Sequence, residues 1–157
     1  MRQVFTIILS SFSLFADLHG TNPDSLYRTS SVFDTRIKSV QLYRQGWNLS
    51  YPVMKLGSDE KMELHFDLVG DQIETYYYTF IHCDKDWNQS DIFINDYLEG
   101  FPENQIEDSE QSFNTTVNYI HYSLVFPNDR VSISLSGNSI IIVYPFDNPE
   151  KPSLTYL

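Results

Sequence analysis

The sequence has a single cysteine, a single alanine and few basic residues. Cys83 has no second cysteine to pair with, so an internal disulfide framework is excluded. Ala16 is the only copy of the best helix-forming residue, which disfavours an α-helical protein. Ten Lys and Arg stand against 21 Asp and Glu, a net charge of −11. A surface this acidic repels the phosphates of nucleic acid and of anionic membranes, so neither is expected as a partner.

Long hydrophobic runs are also missing. The most apolar stretch, 4–15, is too short to span a bilayer and follows the positive charge of Arg2. This pattern predicts a signal peptide over residues 1–20, cleaved between Ala16 and Gly20. The alternative is an ordinary buried first strand. No cysteine stands directly after the apolar run, so no lipid anchor at a mature N-terminal cysteine is expected.

Aromatic residues are abundant, with 11 Tyr, 11 Phe and 2 Trp in 157 residues. They fall in short runs of alternating apolar and polar residues, which is the pattern of half-buried strands. Turn signals rich in Gly, Pro, Asn and Asp separate these runs. The sequence therefore predicts an all-β, immunoglobulin/fibronectin-like antiparallel β-sandwich. The predicted strands cover 37–44, 62–68, 74–83, 113–119, 122–126, 131–135 and 139–146.

The predicted domain limits follow from composition. Residues 21–35 are polar and without a period, and are expected to form a flexible lead-in. The sandwich is expected over 36–146. Residues 147–157 begin as a proline-containing linker, and a strand is predicted to start in SLTYL (153–157), as the beginning of a second region that is missing. The segment 93–111 is a long polar connection, within which a short helical turn is expected.

Two motifs could support chemistry, and each has a structural alternative. Asp84, Asp86 and Asn88 have the D-x-D-x-N spacing of a calcium loop, but Gln89 and Asn95 stand where that loop needs Gly and Glu. The alternative is a polar turn. Cys83 and His121 could imitate a Cys-His dyad, although a buried structural thiol fits the apolar strand of Cys83 better.

The sequence contains no nucleophile elbow, P-loop or HExxH motif. No catalytic residue, metal or cofactor is therefore predicted, and the protein is not expected to be an enzyme. Exposed aromatic rings on a sandwich can also stack on sugars, which leaves a secreted carbohydrate-binding module as the alternative function. The six candidate rings, which could equally be core residues, are Trp47, Tyr76, Tyr77, Tyr78, Trp87 and Tyr97.

Five stretches resemble the type IX secretion system plug protein family, and together they cover about Arg36 to Thr155. They include HCD-x-DW, Y-x-x-GF and FNTT-x-NY-x-HYS, a specific combination in this order. Ser139 departs from the family, which has an aromatic residue after S-G-N. The stretches are GWNLSYPVMKLGSDEKMELHFDL (46–68), YYYTFIHCDKDWNQSDIFINDYLEGF (76–101), SFNTTVNYIHYSLVFPND (112–129), LSGNSIIIVY (135–144) and NPEKPSLT (148–155).

The resemblance implies an exported, non-enzymatic subunit without a cofactor. Members of this family lie in the periplasm, at the periplasmic face of the outer membrane of certain Gram-negative bacteria. They bind the large outer-membrane translocon β-barrel protein of the system and close its periplasmic end when no substrate is passing. Members are longer than this chain and have a second β-rich region, so the chain is expected to be a truncated form.

Contact residues with the barrel are predicted from residue type rather than from the resemblance. In the loop after the strand predicted at 74–83 and in the long connection, Trp87, Asp91, Tyr97 and Phe101 combine aromatic anchors with a polar group, as interface hot spots do. The alternative is that this loop packs on its own sandwich and that the same residues fix a turn. Trp87→Ala would separate the two, because an interface residue affects association more than folding.

Overall fold

The computed structural model describes residues 29–148 and 150–157. Its regular secondary structure is nearly all strand, with one four-residue helix among the described residues. The elements in chain order are β1 (Ser31–Val32), β2 (Ile37–Arg44), β3 (Met62–Val69), β4 (Tyr76–Cys83), α1 (Ile94–Tyr97), β5 (Leu98–Gly100), β6 (Asn104–Gln105), β7 (Asp108–Gln111), β8 (Tyr119–Phe126), β9 (Val131–Ile133), β10 (Asn138–Pro145) and β11 (Leu154–Tyr156).

The strands form two antiparallel sheets that pack as a sandwich, as predicted. One sheet has the order β1-β11-β10-β4-β6, the other has the order β2-β3-β8-β7, and β5 and β9 form a small separate pair. All pairings recorded between these strands are antiparallel. The all-β sandwich expected from the sequence is therefore confirmed.

A period of two places the core between the sheets. In β3 the side chains of Leu64 and Phe66 are buried inside, whereas those of His65 and Asp67 lie on the outer face. In β4 the inward residues include Tyr76 and Phe80. Both strands match their predictions, because alternation along a strand separates side chains onto opposite faces.

One predicted strand is wrong. Residues 113–118 form the turn between β7 and β8, and the side chain of Phe113 is 93% exposed. Asn114 has a φ of +57°, and the Thr115 hydroxyl donates to the carbonyl of Val117. The Ser112 hydroxyl accepts a hydrogen bond from the amide of Tyr119, 2.9 Å away. These short-range hydrogen bonds stabilise a turn in place of extended structure.

The five-stranded sheet continues beyond both predicted sandwich limits. Strand β11 lies between β1 and β10, with Leu154 fully buried. The amide of Ser153 donates to the carbonyl of Val143 at 2.8 Å, which aligns β11 with β10. Strand β1 pairs with β11 through Ser31 and Val32. The predicted signal peptide and the first part of the predicted lead-in, 21–28, lie outside the described residues.

Candidate interaction surface

The loop after β4 is built as a tight turn around the Asp84 carboxylate. Asp84 Oδ1 accepts the amide hydrogens of Asp86 at 2.8 Å and of Asn88 at 3.0 Å. The backbone hydrogen bond from Asn88 is the main cause that lowers the pKa of Asp84, followed by the side chain of Asn88 and the amide of Asp86. Asp84 therefore acts as a turn cap, which is the structural alternative to a calcium loop. Among the described residues, no group of three or more His, Cys, Asp or Glu could hold a metal ion.

Trp87 completes this turn and is half-buried. Its φ of +63° is unusual for a non-glycine residue. Its amide donates to the carbonyl of Asp84 at 3.1 Å. The indole packs against a cluster on the outer face of the five-stranded sheet that contains Cys83 and Ile140. Trp87 thus has a clear role in folding.

The other predicted contact residues separate into buried and exposed groups. Tyr97 is 7% exposed, and its hydroxyl donates to the carbonyl of Phe80 at 3.1 Å. Phe101 is 68% exposed, and Asp91 is also exposed. The amide of Phe101 donates to the carbonyl of Arg130, which fixes its backbone beside the loop after β8. Asp91, Phe101 and part of Trp87 are thus available to a partner, whereas Tyr97 belongs to the core.

An exposed apolar surface that the sequence analysis did not predict lies in another loop. Between β2 and β3, residues 47–56 form a loop, called here the apolar loop, that turns five large side chains to solvent. Their exposed fractions are 58% for Trp47, 87% for Leu49, 85% for Tyr51, 63% for Val53 and 39% for Leu56. The alternating apolar residues of this stretch were a signal, but alternation alone does not distinguish a strand from an exposed loop.

Arg44 and Glu60 hold the apolar loop in place. The amide of Arg44 donates to the Ser50 hydroxyl at 2.7 Å, and its Nη2 donates to the carbonyl of Val53 at 3.0 Å. Arg44 Nη1 lies 3.1 Å from Glu60 Oε1, and Glu60 Oε2 accepts the amide hydrogen of Lys55 at 2.7 Å. The loop therefore has a defined shape, and the exposure of its apolar side chains is a feature of the fold.

A cavity of about 410 Å³ opens beside the apolar loop. It is called here the apolar cleft. Its floor includes Met62 and Phe126, whose backbones pair at the end of the sandwich. Side chains from four chain segments form its walls, including Val53, Leu56, Trp87, Leu135, Tyr156 and Leu157. The cleft is thus mainly apolar and is shared between the ends of both sheets.

The six rings of the alternative carbohydrate-binding function do not form one stacking platform. Tyr76, Tyr78 and Tyr97 are buried in the core. Tyr77 and Trp87 are half-buried, and Trp47 is exposed. A stacking surface needs several ring faces open to solvent on one side, and only Trp47 among the six candidates is mostly exposed.

The structure does not bring Cys83 and His121 together. Cys83 lies in the five-stranded sheet, where burial raises the pKa of its thiol. His121 lies on the outer face of the other sheet, where its Nδ1 is 2.7 Å from Asp67 Oδ1 and its Nε2 is 3.0 Å from His65 Nδ1. The Cys83 thiol thus has the structural role that its apolar strand favours.

The described residues include no helix long and apolar enough to cross a membrane. The exposed side chains described above define the candidate interaction sites of this sandwich. Two candidates stand out: the exposed residues of the long connection, and the apolar loop with its cleft.

Comparison with known proteins identifies the class of this sandwich. Residues 37–156 match the family model described as the type 9 secretion system plug protein 1st domain. The chain belongs to this family of secretion-system domains, which is not a family of enzymes. Its role is accordingly related to type IX secretion, a system of the bacterial envelope. No curated protein matches the chain.

One solved structure extends this finding. It is the crystal structure, at 2.30 Å resolution, of a hypothetical protein from Parabacteroides merdae ATCC 43184. The sequences are 36% identical, and the TM-score is 0.80. The match covers 82% of this chain and 32% of that protein. This chain therefore spans about a third of the length of that solved protein.

Proposed function

We propose that this protein is a periplasmic subunit that binds the large outer-membrane translocon β-barrel of the type IX secretion system and closes its periplasmic end. The observation that carries the proposal is the family match over 37–156. The predicted signal peptide at residues 1–20 supports export to the periplasm. The matched family is not one of enzymes, which supports a role without catalysis.

We propose that Phe101 and Asp91 lie at the contact with the barrel, with the accessible edge of Trp87. Phe101 is a large aromatic side chain held outward by a fixed backbone, which is the character of an interface anchor. Trp87 also packs on the cluster around Cys83, so its replacement affects folding as well. Phe101→Ala is therefore the cleaner test of the contact.

The first experiment is an affinity pull-down of the tagged chain from detergent-solubilised outer membranes of its host, followed by mass spectrometry. We expect recovery of one very large barrel protein. Phe101→Ala should reduce this recovery, whereas Phe113→Ala, at an exposed side chain in the β7–β8 turn, should not. Circular dichroism must show that both variants are folded. Recovery of no barrel by a folded wild-type chain would contradict the proposal that this domain binds it.

Plugging is tested separately from binding. A host without this protein should become more sensitive to a large hydrophilic antibiotic, because an open barrel lets it cross the outer membrane. The wild-type gene should restore resistance, and a variant that fails to bind the barrel should not. Unchanged sensitivity in the deletion strain would argue against a closing role and would leave barrel binding to be judged by the pull-down.

A further inference from the structure

One end of the sandwich combines three features, and it is called here the C-terminal pole. Strands β2, β4 and β8 end there, and β3 and β10 begin there, since Arg44 pairs with Met62 and Cys83 pairs with Asn138. The apolar loop and the apolar cleft both lie at this pole. Strand β11 also runs towards it, because Tyr156 pairs with Ile141 near the start of β10.

The exposed apolar side chains at this pole are clustered. Val53 and Leu56 of the apolar loop and Leu135 of the β9–β10 turn all line the cleft, and they are 63%, 39% and 38% exposed. Single exposed apolar residues are common, whereas a cluster around a cleft marks a surface that another protein segment covers. Arg44 and Glu60 hold the loop in this arrangement before any other domain binds, so the surface is preorganised.

The direction of β11 indicates what covers this surface. Tyr156 and Leu157 themselves form part of the wall of the cleft. The family model describes a first domain, and the solved protein from Parabacteroides merdae has about two thirds of its length outside the matched region. In such longer members, the polypeptide that follows β11 starts at the cleft. A tethered domain has a high effective concentration there, so a modest apolar contact is sufficient to hold it.

We propose that the apolar cleft and the apolar loop form the docking surface for the domain that follows this one in longer members of the family. That domain supplies apolar side chains that fill the cleft between Val53, Leu135 and Tyr156. The inference concerns contacts within one polypeptide and does not depend on barrel binding. A second copy of this chain and the barrel itself are the competing occupants.

The test is a hybrid protein in which residues 29–157 of this chain, which include β1 and Leu157, replace the matched region of the Parabacteroides merdae protein. Amide hydrogen exchange of residues 47–56 is compared between the hybrid and the full 157-residue chain. We expect exchange to slow by about tenfold in the hybrid, because docking suppresses local opening. Val53→Asp combined with Leu56→Asp should abolish the slowing. Ile73→Asp is the matched control, since Ile73 is also 63% exposed but lies in the β3–β4 loop at the opposite pole.

Other outcomes overturn the proposal. Equal exchange in the folded hybrid and in the chain alone would show that the following domain does not cover this surface. Slowing in the chain alone at higher concentration would identify a second copy as the occupant, and slowing only after addition of the barrel would identify the barrel. If the hybrid does not fold, the crystal structure of the Parabacteroides merdae protein decides: its corresponding pole must be covered by the rest of that chain, and an open pole would refute docking.

Discussion

Tyr97 and Phe101 belong to the same Y-x-x-GF motif but have opposite surroundings. Tyr97 is buried and donates to the carbonyl of Phe80, whereas Phe101 is 68% exposed. Between them, β5 pairs with β9 and turns the chain from the core to the surface. The motif therefore joins a structural residue to an accessible one, and only mutation of each residue separates the two roles.

We predict that Tyr97→Phe lowers the free energy of unfolding by about 1 kcal/mol, because the buried carbonyl of Phe80 loses a hydrogen-bond donor. Phe101→Ala should change it by less than about 0.5 kcal/mol, since the ring is mostly exposed. Urea unfolding of the three proteins measures both effects. A larger loss for Phe101→Ala than for Tyr97→Phe would mean that the exposed ring stabilises the domain.

His65 makes the stability of the protein depend on pH. Burial is the main cause that lowers the pKa of His65 below its ordinary value of 6.5, and His121 contributes in the same direction. The Glu63 and Asp67 carboxylates act in the opposite direction. The folded protein therefore favours neutral His65. As the pH falls below 6.5, His65 binds a proton in the unfolded chain before it does so in the folded protein. The stability that neutral His65 contributes is therefore lost as the pH falls through the pKa of His65 in the folded state.

We predict that His65→Gln makes stability less dependent on pH on the acidic side of 6.5. Urea unfolding at about pH 7.5 and about pH 5.5 measures the difference for wild type and variant. Other titrating groups contribute to both proteins, so the difference between the two slopes isolates His65. Equal slopes would show that His65 does not control the acid response.

At the scale of secondary-structure elements, the alternation of apolar and polar residues was sufficient to predict those strands that have one buried face. Strand β2 has its predicted bounds, and β3 and β4 differ from theirs by one or two residues at one end. Strand β7 was missed because its sequence, DSEQ, is polar and carries no apolar period. It forms at the sheet edge because β8 provides a partner, which a local pattern cannot reveal.

The candidate site was less predictable than the strands for a related reason. Residue type selected Phe101 and Asp91, which are exposed, and also Tyr97, which is buried, because a tyrosine suits a core and an interface equally well. The exposure of Val53 and Leu56 depends on Arg44 and Glu60, which flank the loop and hold it by hydrogen bonds and an ion pair. The alternation of apolar residues does not specify these contacts.

The pairing of β5 with β9 depends on glycine at position 100. Gly100 has a φ of +97°, and an added Cβ would collide with the backbone carbonyl of Arg130. We predict that Gly100→Ala lowers the free energy of unfolding by about 3 kcal/mol, since backbone strain and steric overlap both contribute. Thermal unfolding measures the loss.

Gly46→Ala provides the control for Gly100→Ala. Gly46 also has a positive φ, +79°, but an added Cβ would meet no atom within 4 Å. Its replacement by alanine should therefore lower the free energy of unfolding by only about 1 kcal/mol, the penalty of the left-handed conformation. Equal losses for the two variants would show that the contact with Arg130 relaxes without cost.

At the scale of the whole molecule, the two ends of the described chain meet in one sheet. Strand β11 is the only recorded partner of β1 and also covers one edge of β10. The core then joins this sheet to the other through side chains of β3, β4, β8 and β10. Stability of the sandwich is accordingly expected to depend on its last strand.

We predict that ending the chain after Ser153 lowers the free energy of unfolding by roughly 3 kcal/mol or more, because the fully buried Leu154 and the pairing of β1 are lost together. Ending it after Tyr156 removes Leu157 alone and should cost much less. Chemical denaturation followed by circular dichroism compares the two truncations. Similar stability for both would place the stabilising contacts outside β11.

The position of β11 also determines when the protein can fold during synthesis. A ribosome releases β1 early, but the strand that holds β1 in the sheet is made about 120 residues later, at Leu154–Tyr156. Until then β10 has an open edge and β1 has no neighbour in the sheet. The five-stranded sheet is therefore completed only after residues 154–156 have emerged, so the edge of β10 stays open during most of the synthesis of this domain.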